Sequence, residues 1–397
     1  MRTMPTSSGE LVPSHIRNID LPPFDPLNLR GAELRAEGHH VISLGQALPF
    51  FPPPAPALAA ARAALDTPRV NAYVTDPGLP SLRRVLAERL HSALGIDCTH
   101  DDIVITAGAN HAFTLMLTTL VGPGDEVVLP APFFTNHEMA VRAHGAVAVE
   151  APVADRTTFD TTWEDIAPFL TSRTRMVVLC TPSNPTGAML RPEEGRRIAS
   201  ELASRGIVLL SDETYMGFVH KGSHWSAGSV EGWRENVVVL GTCSKSFGMM
   251  GWRVGYAVAD RAICDQAVKV QDAMIICAPV IGQIAAEAAI RESWDYPSTF
   301  RREFLQRREV LARGVAKTAR LHWTPTDGAV FGFVRVDGCD DSTALATELV
   351  ERVHVITLPG AAFGRSGEGF LRLSFGAASV DDLEIAVDRL HTFFASR

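Results

Sequence analysis

Residues 237–255 read Val-Val-Val-Leu-Gly-Thr-Cys-Ser-Lys-Ser-Phe-Gly-Met-Met-Gly-Trp-Arg-Val-Gly. The β-branched run Val237–Leu240 ends at Gly241, and a loop of small residues follows around Lys245, with Arg253 eight positions further on. A lysine among small neighbours with an arginine at that distance suits a Schiff-base lysine beside a phosphate-binding arginine. Toward the N-terminus the same kind of run recurs at Ile103–Thr106, Glu126–Leu129, Met176–Leu179 and Ile207–Leu210, with amphipathic segments such as Arg191–Ser204 between them. Buried strands alternating with helices predict an α/β protein whose sheet is mainly parallel and covered on both faces. Pro192 and the pair Glu193–Glu194 stand where the helix of 191–204 would start, matching its orphan N–H groups and its positive end.

The two ends of the chain read differently. Residues 1–57 are proline-rich (LPPFDP, then LPFFPPPAP) and predict an extended, irregular arm. Helical spacing follows at Pro56–Leu65 and Gly78–Leu94. Beyond about Ala285 a charged helix (Pro297–Lys317), strands Phe331–Val336 and Phe370–Phe375 and a last helix Val380–Phe394 predict a smaller α+β unit. The expected organisation is an N-terminal arm, 1–57, joining a small domain of 286–397, with a large domain of 58–285 between them.

Composition narrows the function classes. Hydrophobic residues make up 46% of the 397, enough for real cores rather than a disordered chain. Thirty-seven basic against 45 acidic residues leave a net charge of −8, and no basic run supplies a patch for nucleic acid or an anionic membrane. Six cysteines are scattered without CxxC spacing, which predicts unpaired thiols in a reducing compartment. Neither a signal-peptide h-region nor an apolar run of membrane-spanning length is present in the sequence, so a cytoplasmic protein is expected.

Some fragments mislead. His137-Glu138-Met139-Ala140-Val141 begins like HExxH but lacks the second histidine, so no metal is expected there. His220 and His224 are spaced i, i+4, yet Lys-Gly-Ser between them predicts a solvated loop. No GxGxxG follows the first strand, no P-loop exists, and Ser226-Ala227-Gly228 lacks the first glycine of a nucleophile elbow.

The informative residues follow the strands, at the edge where open α/β sheets bind ligands. After the first run come Gly108, Ala109 and Asn110, small residues that let backbone N–H groups approach a phosphate. After the second come Phe133 and Phe134, after the third Ser183-Asn184-Pro185-Thr186-Gly187, and after the fourth Asp212-Glu213-Thr214-Tyr215. Taken in this order with Lys245 and Gly-Trp-Arg-Val-Gly, they resemble the pyridoxal-phosphate enzymes of the aspartate aminotransferase superfamily, class I/II, fold type I. The resemblance covers about residues 40–390.

That resemblance implies a role for each matching residue. Lys245 resembles the lysine that carries pyridoxal 5′-phosphate and later shuttles a proton, and Asp212 the carboxylate that keeps the pyridine nitrogen protonated. Asn184 and Tyr215 resemble the pair that bonds the phenolic oxygen, and Phe134 the aromatic that stacks on the ring. Gly108, Ala109, Asn110, Thr242, Ser244 and Arg253 resemble the phosphate cup. Arg372, in Phe370–Phe375, resembles the arginine that grips the substrate α-carboxylate, with Asn184 and Ala47 beside it. Tyr73 resembles a tyrosine sent to the neighbouring subunit's phosphate, which implies a homodimer with shared active sites. The implied reaction moves an amino group between an α-amino acid and a 2-oxo acid. A lyase or cyclase on the same scaffold, performing β/γ-elimination or aminocyclopropane-carboxylate-type ring closure, is the alternative. A cofactor-binding regulator joined to a DNA-binding module is a further alternative, but the arm carries no helix-turn-helix pattern.

Three positions depart from the family pattern: Ala47 for a glycine, Thr242 for Ser or Gly, and His137 for an aromatic. None is expected to touch the cofactor chemistry; Ala47 and His137 bear on the substrate instead. By the same resemblance Met274–Pro279 approaches the side-chain pocket, and Phe50 and Phe51 on the arm close over it unless they are core. An apolar wall of that kind predicts an amino donor with an uncharged side chain.

Overall fold

A computed structural model describes residues 11–396. Residues 1–10, part of the stretch read above for a leader, and Arg397 lie outside the described residues. The central sheet has seven strands: β1 (Ile103–Thr106), β2 (Glu126–Ala131), β3 (Val147–Pro152), β4 (Thr174–Cys180), β5 (Val208–Asp212), β6 (Val237–Thr242) and β7 (Gly255–Val258). They lie in the order β1-β7-β6-β5-β4-β2-β3, and only β7 runs against its neighbours. β3 and β7 were not read from the sequence. β3 is a partly exposed edge strand, and β7 begins at a glycine within the motif that carries Arg253.

Strand periodicity explains why every run looked uniformly apolar. Along β6, Val237 and Val239 pack into one core with Leu82, Leu86 and Ala286, while Val238 and Leu240 pack into another with Phe113 and Leu117. Successive side chains point to opposite faces, so a sheet covered on both sides buries them all. The parallel strands also bring their carboxyl ends to one edge. The segments 107–110, 132–134, 181–184, 213–215 and 243–245 therefore meet there although they are spread over more than a third of the chain.

A second, antiparallel sheet orders Leu358–Pro359, Phe370–Ser374, Phe331–Val336 and Leu321–His322. The arm packs against it: Leu27, Leu34, Leu44 and Phe51 share a core with Phe331, Phe333, Leu371 and Phe393. Ile42–Ser43 pairs in parallel with Val355–Ile356. The arm is not irregular throughout, because Phe24–Ala36 is a helix. Its prolines concealed it: Pro26 sits in the first turn, where a missing N–H costs nothing. Leu27, Gly31 and Leu34 form its buried stripe, and a Cβ at Gly31 would lie 2.5 Å from Ile356 Cδ1.

Candidate active site

At the carboxyl edge of the central sheet lies a cavity of about 460 Å³. Ala47, Ala109, Asn110, Phe134, Asn184, Asp212, Tyr215, Thr242, Ser244, Lys245, Arg253 and Arg372 all line it, so twelve of the fourteen residues expected from the sequence converge. Gly108 stands immediately behind the wall. It precedes the helix Ala109–Leu120 with φ of 91°, and a Cβ there would run into Arg253 Nη2. Glycine thus permits both the left-handed turn and the approach of the guanidinium. Arg253 donates to Ala107 O and Met250 O, each at 3.0 Å, which keeps it beside the free N–H groups of that helix's first turn. Thr242 accepts from Ser244 N at 3.1 Å and so caps the one-turn helix Cys243–Ser246 that presents Lys245.

Lys245 Nζ donates to Ala47 O at 2.9 Å, so an arm carbonyl meets the amine. Burial, with Arg372 and Arg253 adding repulsion, brings its pKa down to about 8. Asp212 is buried, which pushes its pKa up, but a hydrogen bond and charge from His137 and donors from Thr214 outweigh that and hold it below the usual carboxylate range. His137 Nε2 lies 3.1 Å from Asp212 Oδ2, and Thr214 N donates to Oδ1 at 3.0 Å. His137 therefore touches the Asp212 carboxylate itself, whereas it was expected to bear on the substrate. Phe113 stacks on its imidazole at 4.4 Å, and Phe134 meets it edge-on at 5.3 Å. Burial raises the pKa of Tyr215, so its phenol stays protonated as a donor. Arg372 donates to Asn184 Oδ1 and to Gly45 O, both at 2.6 Å, and lies about 5 Å from the rings of Phe331 and Phe363. Its Nε is buried without a partner, and burial brings the guanidinium down to about 10.

A family model for aminotransferases of class I and II matches residues 39–390. The chain belongs to the class I and II aminotransferases. It is 32% identical to an aromatic-amino-acid aminotransferase of Thermococcus litoralis, over 88% of this chain and 90% of that protein. It is 31% identical to an aspartate aminotransferase of Pyrococcus abyssi, with the same coverage of 88% and 90%. Among solved structures, the aspartate aminotransferase of Thermus thermophilus with maleate superposes with a TM-score of 0.90 at 27% identity, covering 96% of this chain and 99% of that one. The fold is fold type I, and the family uses pyridoxal phosphate. The chain is an aminotransferase enzyme, and its relatives' names favour transamination over the lyase or cyclase alternative.

Some expectations for the aminotransferase fail against its structure. Met274–Pro279 does not line the cavity; Met274 and Ile275 are partly exposed elsewhere. Phe51 is core, stacked on Phe300 at 4.6 Å, and Phe50 lies beneath Arg307 at 3.9 Å. His220 and His224 are not solvated: His220 bonds Ala329 O at 2.7 Å, and His224 bonds Glu213 Oε2 at 2.8 Å with both side chains buried. Tyr73, which the resemblance sends to a neighbouring subunit rather than to its own, is 76% exposed and stands outside its own chain's cavity. Sequence reasoning missed Phe24, Asp25 and Asn28, which reach the cavity from the first turns of the arm helix. Their i, i+1, i+4 spacing was the available signal once a helix was recognised.

Proposed function

We propose that this cavity holds pyridoxal 5′-phosphate and transfers the amino group of an α-amino acid lacking a side-chain carboxylate to a 2-oxo acid; the apolar wall from which an uncharged donor was expected is missing, since Met274–Pro279 does not line the cavity. The carrying observation is the convergence on one cavity of a buried amine with a lowered pKa (Lys245), a buried anionic carboxylate (Asp212) and a buried guanidinium with an unpartnered N–H (Arg372). The residues fit the cofactor. Arg253, Thr242, Ser244 and the helix start at Gly108, Ala109 and Asn110 suit a phosphate. Phe134 offers an aromatic face, and Asn184 and Tyr215 offer donors to a phenolate. When bound, pyridoxal phosphate supplies an electron sink that acidifies the donor's Cα–H and accepts its amino group.

The chain's own groups supply the rest. Asp212, kept anionic by His137 and Thr214, holds a proton on the pyridine nitrogen. Lys245 would hold the cofactor, and its amine, neutral and of suitable basicity, would move the Cα proton. Arg372 holds the α-carboxylate through the N–H that now lacks a partner. Exposed Tyr73 supports a homodimer in which each subunit completes the other's phosphate site. The six cysteines are all unpaired, in keeping with a cytoplasmic setting. We place the boundary between large and small domains after the helix Val280–Glu292, because Ala285, Ala286 and Ile290 pack with the central sheet's core.

A single turnover tests the function. Donor alone should release one equivalent of 2-oxo acid per subunit, leaving the amino group on the cofactor. Release of ammonia instead would refute transamination.

A further inference from the structure

The cavity carries one charged group that the proposed reaction does not use. Lys245, Arg253, Asp212 and Arg372 are committed to the cofactor and the α-carboxylate, which leaves Asp25. It stands in the first turn of the helix Phe24–Ala36, beside Phe24 and one turn from Asn28, and all three line the cavity. Asp25 has no hydrogen-bond or ion-pair partner among the described residues, and its position at the rim is exposed. Among the described residues lining the cavity, no lysine or arginine is left over for a second substrate carboxylate.

Resting on the aminotransferase reading of this cavity, we propose that Asp25 is a specificity-determining residue that selects amino donors whose side chain ends in a cation, of the diamino-acid type, and disfavours those ending in a carboxylate. The amides of Asn28 and Gln46 cannot make that choice, since an amide donates and accepts with equal ease. A free carboxylate can. It attracts an ammonium and repels an anion, and low-dielectric walls such as Leu48 and Leu358 focus its field into the cavity. The aromatic wall at Phe24 acts in the same direction, because a ring face attracts cations. Exposure of Asp25 keeps the effect moderate, so the discrimination is roughly tenfold rather than thousandfold. The competing role for Asp25 is to complement the positive end of its own helix.

The test uses the holoenzyme and matched donors. Ornithine and glutamate are compared by kcat/KM, and α-methylornithine and α-methylglutamate, which have no Cα proton to lose, are compared by Kd. The expected ornithine-to-glutamate ratio exceeds ten in the wild type, falls at least fivefold in Asp25→Asn and inverts in Asp25→Lys, and the Kd ratios follow. High salt should compress the wild-type ratio. An active enzyme that prefers glutamate, or whose ratio moves less than fivefold in either variant, overturns the assignment and leaves Asp25 a helix-terminal charge. An enzyme that transaminates other donors but neither ornithine nor glutamate likewise overturns the assignment, whereas a protein that binds no pyridoxal phosphate on reconstitution overturns the reading of the cavity itself.

Discussion

Replacing Arg372 by methionine should separate stability from catalysis. The guanidinium is buried and has no ion-pair partner among the described residues; its two hydrogen bonds go to the neutral acceptors Asn184 Oδ1 and Gly45 O. Burial lowers its pKa to about 10. At about 1.36 kcal/mol per pH unit, holding that charge costs the folded protein about 3 kcal/mol. The unfolded chain holds this proton more tightly, so the cost is fully present at every pH below about 10. Methionine removes the charge, and its flexible thioether can still pack on Phe331 and Phe363. The two acceptors left behind cost about 1–3 kcal/mol each, which roughly offsets the gain. Thermal midpoint should therefore stay within a few degrees of wild type. Catalysis should fall steeply. Losing the partner of a desolvated carboxylate costs about 2–5 kcal/mol, or about 30- to 4,000-fold in kcat/KM. Thermal unfolding of the holoenzyme and steady-state kinetics measure both halves. An Arg372→Met enzyme that melts more than about ten degrees lower, or that keeps kcat/KM within threefold, would refute the reasoning.

Borohydride reduction should fix the cofactor to Lys245, and label on any other lysine would remove the assignment. Because the neutral amine is the nucleophile and its pKa is about 8, capture of added pyridoxal phosphate by cofactor-free protein should rise up to that pH and then level off. A rate still climbing toward pH 10, as for an ordinary lysine, would show that the amine is unperturbed. Asp212→Ala should retain the cofactor through its phosphate contacts yet slow Cα deprotonation severely; near-normal turnover would contradict the pyridine-facing role. His137→Phe removes the hydrogen bond that lowers the Asp212 pKa, so the acid limb of the pH–rate profile should move to higher pH. An unmoved limb would show that His137 is only packing. Sedimentation should find a dimer at assay concentration, and a strictly monomeric active enzyme would exclude the role proposed for Tyr73.

What was legible in the sequence was local. Each apolar run named a strand because a two-faced sheet buries every residue of it, and each small-residue cluster after a run marked a turn at the ligand edge. Ile103–Thr106 and Phe331–Val336 needed no adjustment of their bounds. What escaped depends on partners distant in the chain. His137 looked like half of a metal motif because Asp212, 75 residues away, is what gives it a role. His220 and His224 looked solvated because their neighbours in sequence are polar, whereas Ala329 O and Glu213 are what bury them. The arm helix was hidden by a compositional rule: prolines signal irregular chain, except in a first turn, where an absent N–H is no loss.

Ala47 illustrates why a departure at a site need not disturb its chemistry. Its side chain is what differs from the family's glycine, but the atom that faces Lys245 is its carbonyl oxygen, at 2.9 Å. Any residue able to adopt the local backbone supplies that oxygen, and Ala47 is not among the residues with positive φ. Gly45 O does the same for Arg372 at 2.6 Å. Two buried cations are thus held by neutral arm carbonyls rather than by carboxylates. An aspartate or glutamate in either place would form an ion pair, raise the lysine's pKa and occupy the arginine's donors before substrate arrived. Neutral acceptors leave Lys245 near neutrality and Arg372 open to an incoming carboxylate. The charge balance of the site is thus left for incoming anions to complete.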